Sequence, residues 1–194
     1  MTASNFGKVL NRKRQPTEKF LDNIFSQKEI TATPLEYGKR NEPKAKAKYL
    51  EKFKSRHLHE CGLVVNKEIS FLGASPDGKV CSEGITGLIE VKCPYTARDM
   101  NISEAIEQIK DFMLKKHEDV INLDQMHNNY AQVQGQLMVS GSPFCDFVVY
   151  TNNDLYVERI YPNKDYMEKM LSKLCTFYAD YVKPYIEAKK SPEP

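Results

Sequence analysis

The segment Gly87-Leu88-Ile89-Glu90-Val91-Lys92-Cys93-Pro94 constrains this chain more than any other, because its apolar run reads as a strand yet carries two opposite charges. In extended backbone alternate side chains share a face, so Glu90 and Lys92 point together while Ile89 and Val91 point the other way into packing. Pro94 ends the strand. Charges are seldom committed to so apolar a strand unless they have a task. Just upstream, Gly73-Ala74-Ser75-Pro76-Asp77-Gly78 puts a further carboxylate on a turn. Around this pair the chain reads as an antiparallel meander. Residues 61–72 supply one or two strands that meet near Asn66 and Lys67, Val80 resumes pairing, and 84–87 turns into the strand Leu88–Lys92.

The remaining pattern is helical at both ends of this meander. From Leu35, Ala45, Tyr49 and Phe53 recur at helical spacing beside a row of Lys44, Lys48 and Lys52. Glu42 falls on the inward face, and Pro43 predicts that the helix starts near Glu42 or kinks there. Ser103 reads as the cap of a helix through Met113, and Lys115–Asp124 as a charged loop. Met126, Tyr130, Val133 and Leu137 then form an apolar stripe flanked by a polar one of Gln125, Asn129, Gln132 and Gln136, and Gly141 stops the helix. Residues 144–151 and 155–161 form a hairpin, and a final helix runs from about Lys164 to Ala188, bent by Pro184. The N-terminal stretch predicts a short helix over 2–10 and a loop over 11–19, and the 191–194 tail is expected to be loose.

With 194 residues, 41% apolar and 10% aromatic, one globular domain spanning 1–194 is expected, an α/β (α+β) unit. The net charge of +2 is unevenly spread: Lys39–Arg56 holds eight basic residues against Glu42 and Glu51, which predicts a local basic surface. Five cysteines, an odd number without CxxC spacing, argue against a disulfide framework and against a zinc or iron–sulfur site. His57, His59, His117 and His127 show no metal-site spacing, and Cys93 reads as a packed thiol. No apolar run reaches the roughly 20 residues of a membrane span, and the start at Met1 reads as neither signal nor transit peptide. An intracellular protein, in nucleus or cytoplasm, is expected.

Two carboxylates and a lysine from adjacent strands suit metal-assisted phosphodiester cleavage. Asp77 and Glu90 would hold Mg2+, or Mn2+, with the Val91 carbonyl as a neutral third ligand. Lys92 would orient the attacking water or stabilise charge on the phosphate, and Glu42 would add a carboxylate nearby. Each residue also has a plainer reading. Asp77-Gly78 is an ordinary turn pair, Glu42 a helix-start charge, the lysine row a solvated surface or a DNA-backbone contact, and the glutamine stripe a solvated helix face.

At Ser75-Pro76-Asp77-Gly78, Glu90-Val91-Lys92-Cys93-Pro94-Tyr95 and Ala131-Gln132-Val133-Gln134, the sequence resembles the YqaJ-type viral recombinase nucleases. That group includes phage lambda exonuclease and lies within the PD-(D/E)xK superfamily. Thr2-Ala3-Ser4 and Asn41-Glu42 with Ala45 and Tyr49 are similar to its early motifs. The resemblance implies a mixed central β-sheet flanked by helices, restriction-endonuclease-like, and Mg2+-dependent degradation of double-stranded DNA from 5′ ends. It implies Asp77, Glu90 and the Val91 carbonyl as metal ligands, Lys92 as the catalytic lysine, Glu42 and Gln132 as helical site residues, and Ser4 and Ser75 as 5′-phosphate contacts. Double-stranded DNA ends, a single-strand annealing recombinase and a ring-shaped trimer are the implied partners. One departure is that Met1 stands directly before Thr2, where the lambda-type enzymes carry a helix and an arginine that grips the 5′ phosphate. This predicts an N-terminally short domain with relaxed dependence on that phosphate. Two alternatives follow, a DNA-end-binding module with weak or no turnover and a structure-specific endonuclease.

Overall fold

The computed structural model describes residues 1–25 and 33–190; the tail expected to be loose lies outside them. Its centre is a five-stranded mixed sheet in the order β1 (His57–His59), β4 (Gly78–Ser82), β5 (Ile85–Lys92), β8 (Cys145–Tyr150) and β9 (Leu155–Ile160). β5 is the middle strand, antiparallel to β4 and parallel to β8. That placement explains its apolar run, since both of its faces are covered. The turn into it is tighter than expected. Ser82 pairs with Ile85 across Glu83 and Gly84, both at positive φ (53° and 78°), as the commonest two-residue hairpin loop requires. Gly87 therefore lies inside β5, where a Cβ would come within 2.4 Å of the Phe144 ring. Two residue pairs, β2 (Val64–Val65) with β3 (Gly73–Ala74), form a small separate ladder.

Helix α3 (Thr33–Lys52) covers one face of the sheet. It neither starts near Glu42 nor stops at Pro43, which sits inside it. Proline removes one helical N–H, but Pro43 and Lys39 are both exposed, so water can satisfy the freed Lys39 carbonyl. The buried Asn41 amide adds a bond to the Tyr37 carbonyl at 2.9 Å. Ala45 and Tyr49 pack on Ile89 and Val91, the odd-numbered face of β5, and on Val80 and Val148 of the strands beside it. Beneath them the Tyr49 hydroxyl, Arg56 and Arg159 all donate to the fully buried Asp146 carboxylate.

The parallel pairing of β5 with β8 demands a crossover, and the chain between them supplies it. Helix α4 (Ile102–Gln108) is capped by Asn101, not by Ser103: Glu104 Oε2 accepts the Asn101 N–H at 2.7 Å, as in a capping box. The stretch expected as a charged loop is instead a hairpin of β6 (Leu114–His117) and β7 (Val120–Leu123). Its buried Leu114 and Leu123 anchor it to the core, while the charges point outward. Helix α5 (Asn128–Ser140) follows and ends at Gly141, φ 67°, whose N–H closes on the Leu137 carbonyl. It lies on the even-numbered face of β5, packing Val133 and Leu137 against Leu88, Cys145, Phe147 and Val149. Met126 precedes this helix and is 78% exposed, so it is no part of the apolar stripe.

The outer side of α5 is closed by the N-terminal segment and the last helices. A 3-10 turn (Ala3–Asn5), α1 (Phe6–Leu10) and α2 (Glu18–Phe25), the last within a stretch expected partly as loop, pack with α6 (Lys164–Phe177), a π-helical stretch (Tyr178–Val182) and α7 (Lys183–Lys190). α1 and α5 meet without a gap. A Cβ on Gly135 would lie 2.4 Å from the Phe6 ring, which is itself fully buried. Gly135→Ala is therefore expected to destabilise the fold by about 1–3 kcal/mol through overpacking, seen as a lower urea midpoint at unchanged m. An unshifted midpoint would mean that Phe6 yields freely.

Candidate active site

Because Glu90 and Lys92 occupy even positions of β5, they emerge on the side covered by α5, where Gln132 and Gln136 descend one helical turn apart. These four side chains form one network. Lys92 Nζ donates to Glu90 Oε1 at 2.6 Å and to Gln132 Oε1 at 3.0 Å, while Gln132 Nε2 donates to the same Glu90 oxygen at 2.6 Å. Gln136 Nε2 holds the other oxygen, Oε2, at 2.7 Å. Glu90 is only 2% exposed, yet Lys92 is open enough to meet a substrate. Of the polar stripe, Gln132 and Gln136 are thus buried against Glu90, while Asn129 is half-buried and Gln125, ahead of the helix, is exposed.

Asp77 reaches the same place from the other flank. β4 begins at Gly78, opposite Ile89, so the edge of β5 beyond Ile89 has lost its partner strand. Asp77 Oδ2 caps that edge by accepting the Val91 N–H at 2.7 Å. In a strand the N–H and C=O of one residue leave on the same side, so the Val91 carbonyl opens toward the Asp77 turn as well. Burial, reinforced by the neighbouring Glu90 and Glu42 charges, pushes the Asp77 carboxyl up to about 7, against the lowering effect of the Val91 N–H and Lys92. Cys93, next along the strand, is pushed up to about 12 by burial and by Glu42 and Asp77, which keeps it a thiol.

Glu42 comes in from α3 and shares a cation that sequence reasoning missed. Lys46, one turn further along, donates to Glu42 Oε1 at 2.5 Å and to the Asp77 carbonyl at 2.6 Å, tying the helix to the turn. Its only sequence signal is the i, i+4 spacing from Glu42. Asp77, Glu90, Lys92, Glu42 and Gln132 are therefore brought together. Lys44, Lys48 and Lys52 are exposed on α3, with Lys48 paired to Glu51 at 2.9 Å. On the helical wheel Lys44 and Lys48 point well away from Glu42 and Lys46. Ser4 and Ser75 are both exposed, on segments that the Thr2–Gly73 bridge brings alongside one another, and the Thr2 and Ser4 hydroxyls lie 3.2 Å apart.

Among the described residues no group of three or more His, Cys, Asp and Glu side chains stands ready to hold a metal ion. What converges is a smaller set of hard oxygen donors: the Asp77 and Glu90 carboxylates and the Val91 carbonyl. Such a set fits Mg2+, which usually takes one or two carboxylates and keeps several waters. A carboxylate that burial and like charge hold up near 7 is a fitting partner for a cation. Three donors occupy Glu90, leaving one of its roughly four lone-pair sites open.

A mixed sheet whose central strand carries Glu-x-Lys, with an aspartate from the adjoining turn and a glutamine from the covering helix beside it, has the arrangement of a nuclease of the PD-(D/E)xK class. The chain belongs to the family of the YqaJ-like viral recombinase domain, whose model matches residues 1–143. No curated protein is significantly similar in sequence. Among solved structures, the alkaline exonuclease LHK-Exo from Laribacter hongkongensis superposes with a TM-score of 0.72 at 24% identity, over 98% of this chain and 91% of that chain. Its complex with dAMP gives 0.73 at 26% identity and the same coverage. A phage-related exonuclease from Haemophilus somnus 129PT shares the fold, with a TM-score of 0.58 at 13% identity over 95% of each chain. Among the described residues no helix is long and apolar enough to cross a membrane.

Proposed function

We propose that this chain is a Mg2+-dependent exonuclease that degrades double-stranded DNA from its 5′ ends, Mn2+ serving in place of Mg2+. The observation that carries the reading is the Lys92–Glu90–Gln132 network facing the Asp77 carboxylate across the open edge of β5. The exonuclease character of LHK-Exo, which covers nearly the whole chain, supports it further. Asp77, Glu90 and the Val91 carbonyl would hold the ion, which when bound polarises the phosphate and lowers the pKa of a coordinated water. Lys92, held between Glu90 and Gln132, orients the attacking water and stabilises the charge that builds on the phosphate oxygens. Glu42 and Lys46 fix the Asp77 turn from the α3 side. Ser4 and Ser75 supply hydroxyls for a terminal phosphate, and Lys44, Lys48 and Lys52 a screened attraction for the duplex.

On this reading residues 1–194 work as one nuclease domain inside the cell. Its partners are DNA ends, a single-strand annealing recombinase, and two further copies of itself in a trimer. The test is a linear, 5′-phosphorylated duplex labelled at either end, beside a closed circular duplex, with Mg2+ and with EDTA. Early release of the 5′ label, an intact circle and no product in EDTA are expected. Early release of the 3′ label would reverse the polarity, and cutting of the circle would make the protein an endonuclease. Salt-sensitive binding without product would leave only an end-binding module.

A further inference from the structure

Gln136 is the deepest polar group of the site, and it is arranged unlike its neighbour Gln132. It is 1% exposed, and its Nε2 donates to Glu90 Oε2 at 2.7 Å. Its own carbonyl oxygen, Oε1, is buried with no hydrogen-bond partner among the described residues. An unpaired buried carbonyl is costly, so an amide would ordinarily turn until both of its ends were satisfied. Here it has no such freedom. Turning it over would set Oε1 against Glu90 Oε2, two acceptors face to face, and leave the NH2 group where the unpartnered oxygen now lies. The amide is therefore held one way round by Glu90, and Glu90 is held in turn by the amide.

The geometry of the whole network shows what this fixes. Lys92 and Gln132 both bind Oε1 and so pin one end of the carboxylate, but with donors on that oxygen alone the group could still tilt about it as the Glu90 stem flexes. Gln136 is the contact at the other oxygen, one helical turn below. With both ends fixed, the lone pair of Glu90 that remains open faces a single direction. Burial of α5 against β5 supplies the rigidity, since Val133 and Leu137, which flank the two glutamines, are both fully packed.

We infer that Gln136 is a positioning residue, whose amide sets the orientation in which Glu90 meets a divalent cation. This inference rests on the proposed metal-dependent function and adds a residue to it. Hydrogen-bond partners behind a ligand typically govern metal affinity by 10–100-fold. Gln136→Met keeps the volume and removes both the donor and the unpartnered carbonyl.

The test is Mn2+ binding to the DNA-free protein, followed by calorimetry or by the loss of free Mn2+ signal in electron paramagnetic resonance. Wild type and Gln136→Met are compared, with Gln136→Asn, which keeps the amide but withdraws it by one methylene, as a second variant should the first not fold. A 10- to 100-fold weaker Mn2+ affinity in either variant is expected. The DNA-degrading rate at low Mg2+ should fall in step and recover at high Mg2+, with the KM for DNA unchanged. Affinity within twofold of wild type would overturn the positioning role while leaving the metal-dependent reading standing. Absence of Mn2+ binding by the wild type would overturn both, so the wild-type arm separates the two failures.

Discussion

Methionine in place of Lys92 is expected to slow DNA degradation by about a thousandfold, within the 10²–10⁴ that a positioned proton-transfer or charge-stabilising group contributes. That corresponds to about 4 kcal/mol of transition-state stabilisation. The ammonium is held 2.6 Å from Glu90 Oε1 and 3.0 Å from Gln132 Oε1, so it waits at the site in a fixed position. Methionine matches its length and keeps the packing of the stem, but has neither charge nor donor. Glu90 retains its bonds from Gln132 and Gln136, so the carboxylate stays in place. The deficit should therefore persist at saturating Mg2+, with the KM for DNA little changed. The measurement is the release of acid-soluble nucleotide from a linear duplex, with circular dichroism to confirm the fold. A rate above a tenth of wild type would remove Lys92 from the chemistry.

Much of this site is legible in the sequence because a strand shows its sidedness directly. The period of two that puts Glu90 and Lys92 on one face needs no tertiary information, and the turn residues around Asp77 place it at a strand end. The second half of the site is different. A polar row on a helix looks the same whether it meets water or a buried carboxylate, so Gln132 is marked by the family resemblance alone and the rest of the row gains meaning only once α5 is packed over β5. Gln136 is invisible as a site residue for that reason, and Lys46 because a lysine one turn from a glutamate is commonplace on exposed helices.

The misread elements of the fold share a cause of the same kind. Pro43 argues locally for a helix start, yet the packing of Tyr37, Ala45 and Tyr49 on one side carries α3 through it. Lys115–Asp124 is dominated by charges, and only the two buried leucines at its ends make it a hairpin against the core. Tertiary burial outweighed local preference in both. Where local signals and packing agree, as at Gly141 and at the β8–β9 turn, the boundaries read from sequence hold to within a residue or so.

Asparagine at position 77 should abolish DNA degradation and at the same time stabilise the metal-free protein at alkaline pH. The Asp77 carboxyl is raised from 3.8 to about 7 in the fold, chiefly by burial and then by Glu90 and Glu42. Its proton is thus bound more tightly by the folded than by the unfolded chain. The associated stability is fully present below pH 3.8 and is lost as pH rises through about 7, after which the cost is constant. A rise of that size implies a penalty of about 2–4 kcal/mol above pH 7. Asparagine carries no charge, and its side-chain oxygen can still accept the Val91 N–H, so it escapes the penalty. Urea unfolding in EDTA should accordingly place Asp77→Asn above wild type at pH 8, with the difference vanishing near pH 4. Mg2+ should then raise the midpoint of the wild type at pH 8 and leave the variant nearly unmoved, since a cation that binds only the folded site stabilises by mass action. Equal midpoints at both pH values would mean that Asp77 is not the strained carboxylate of this site.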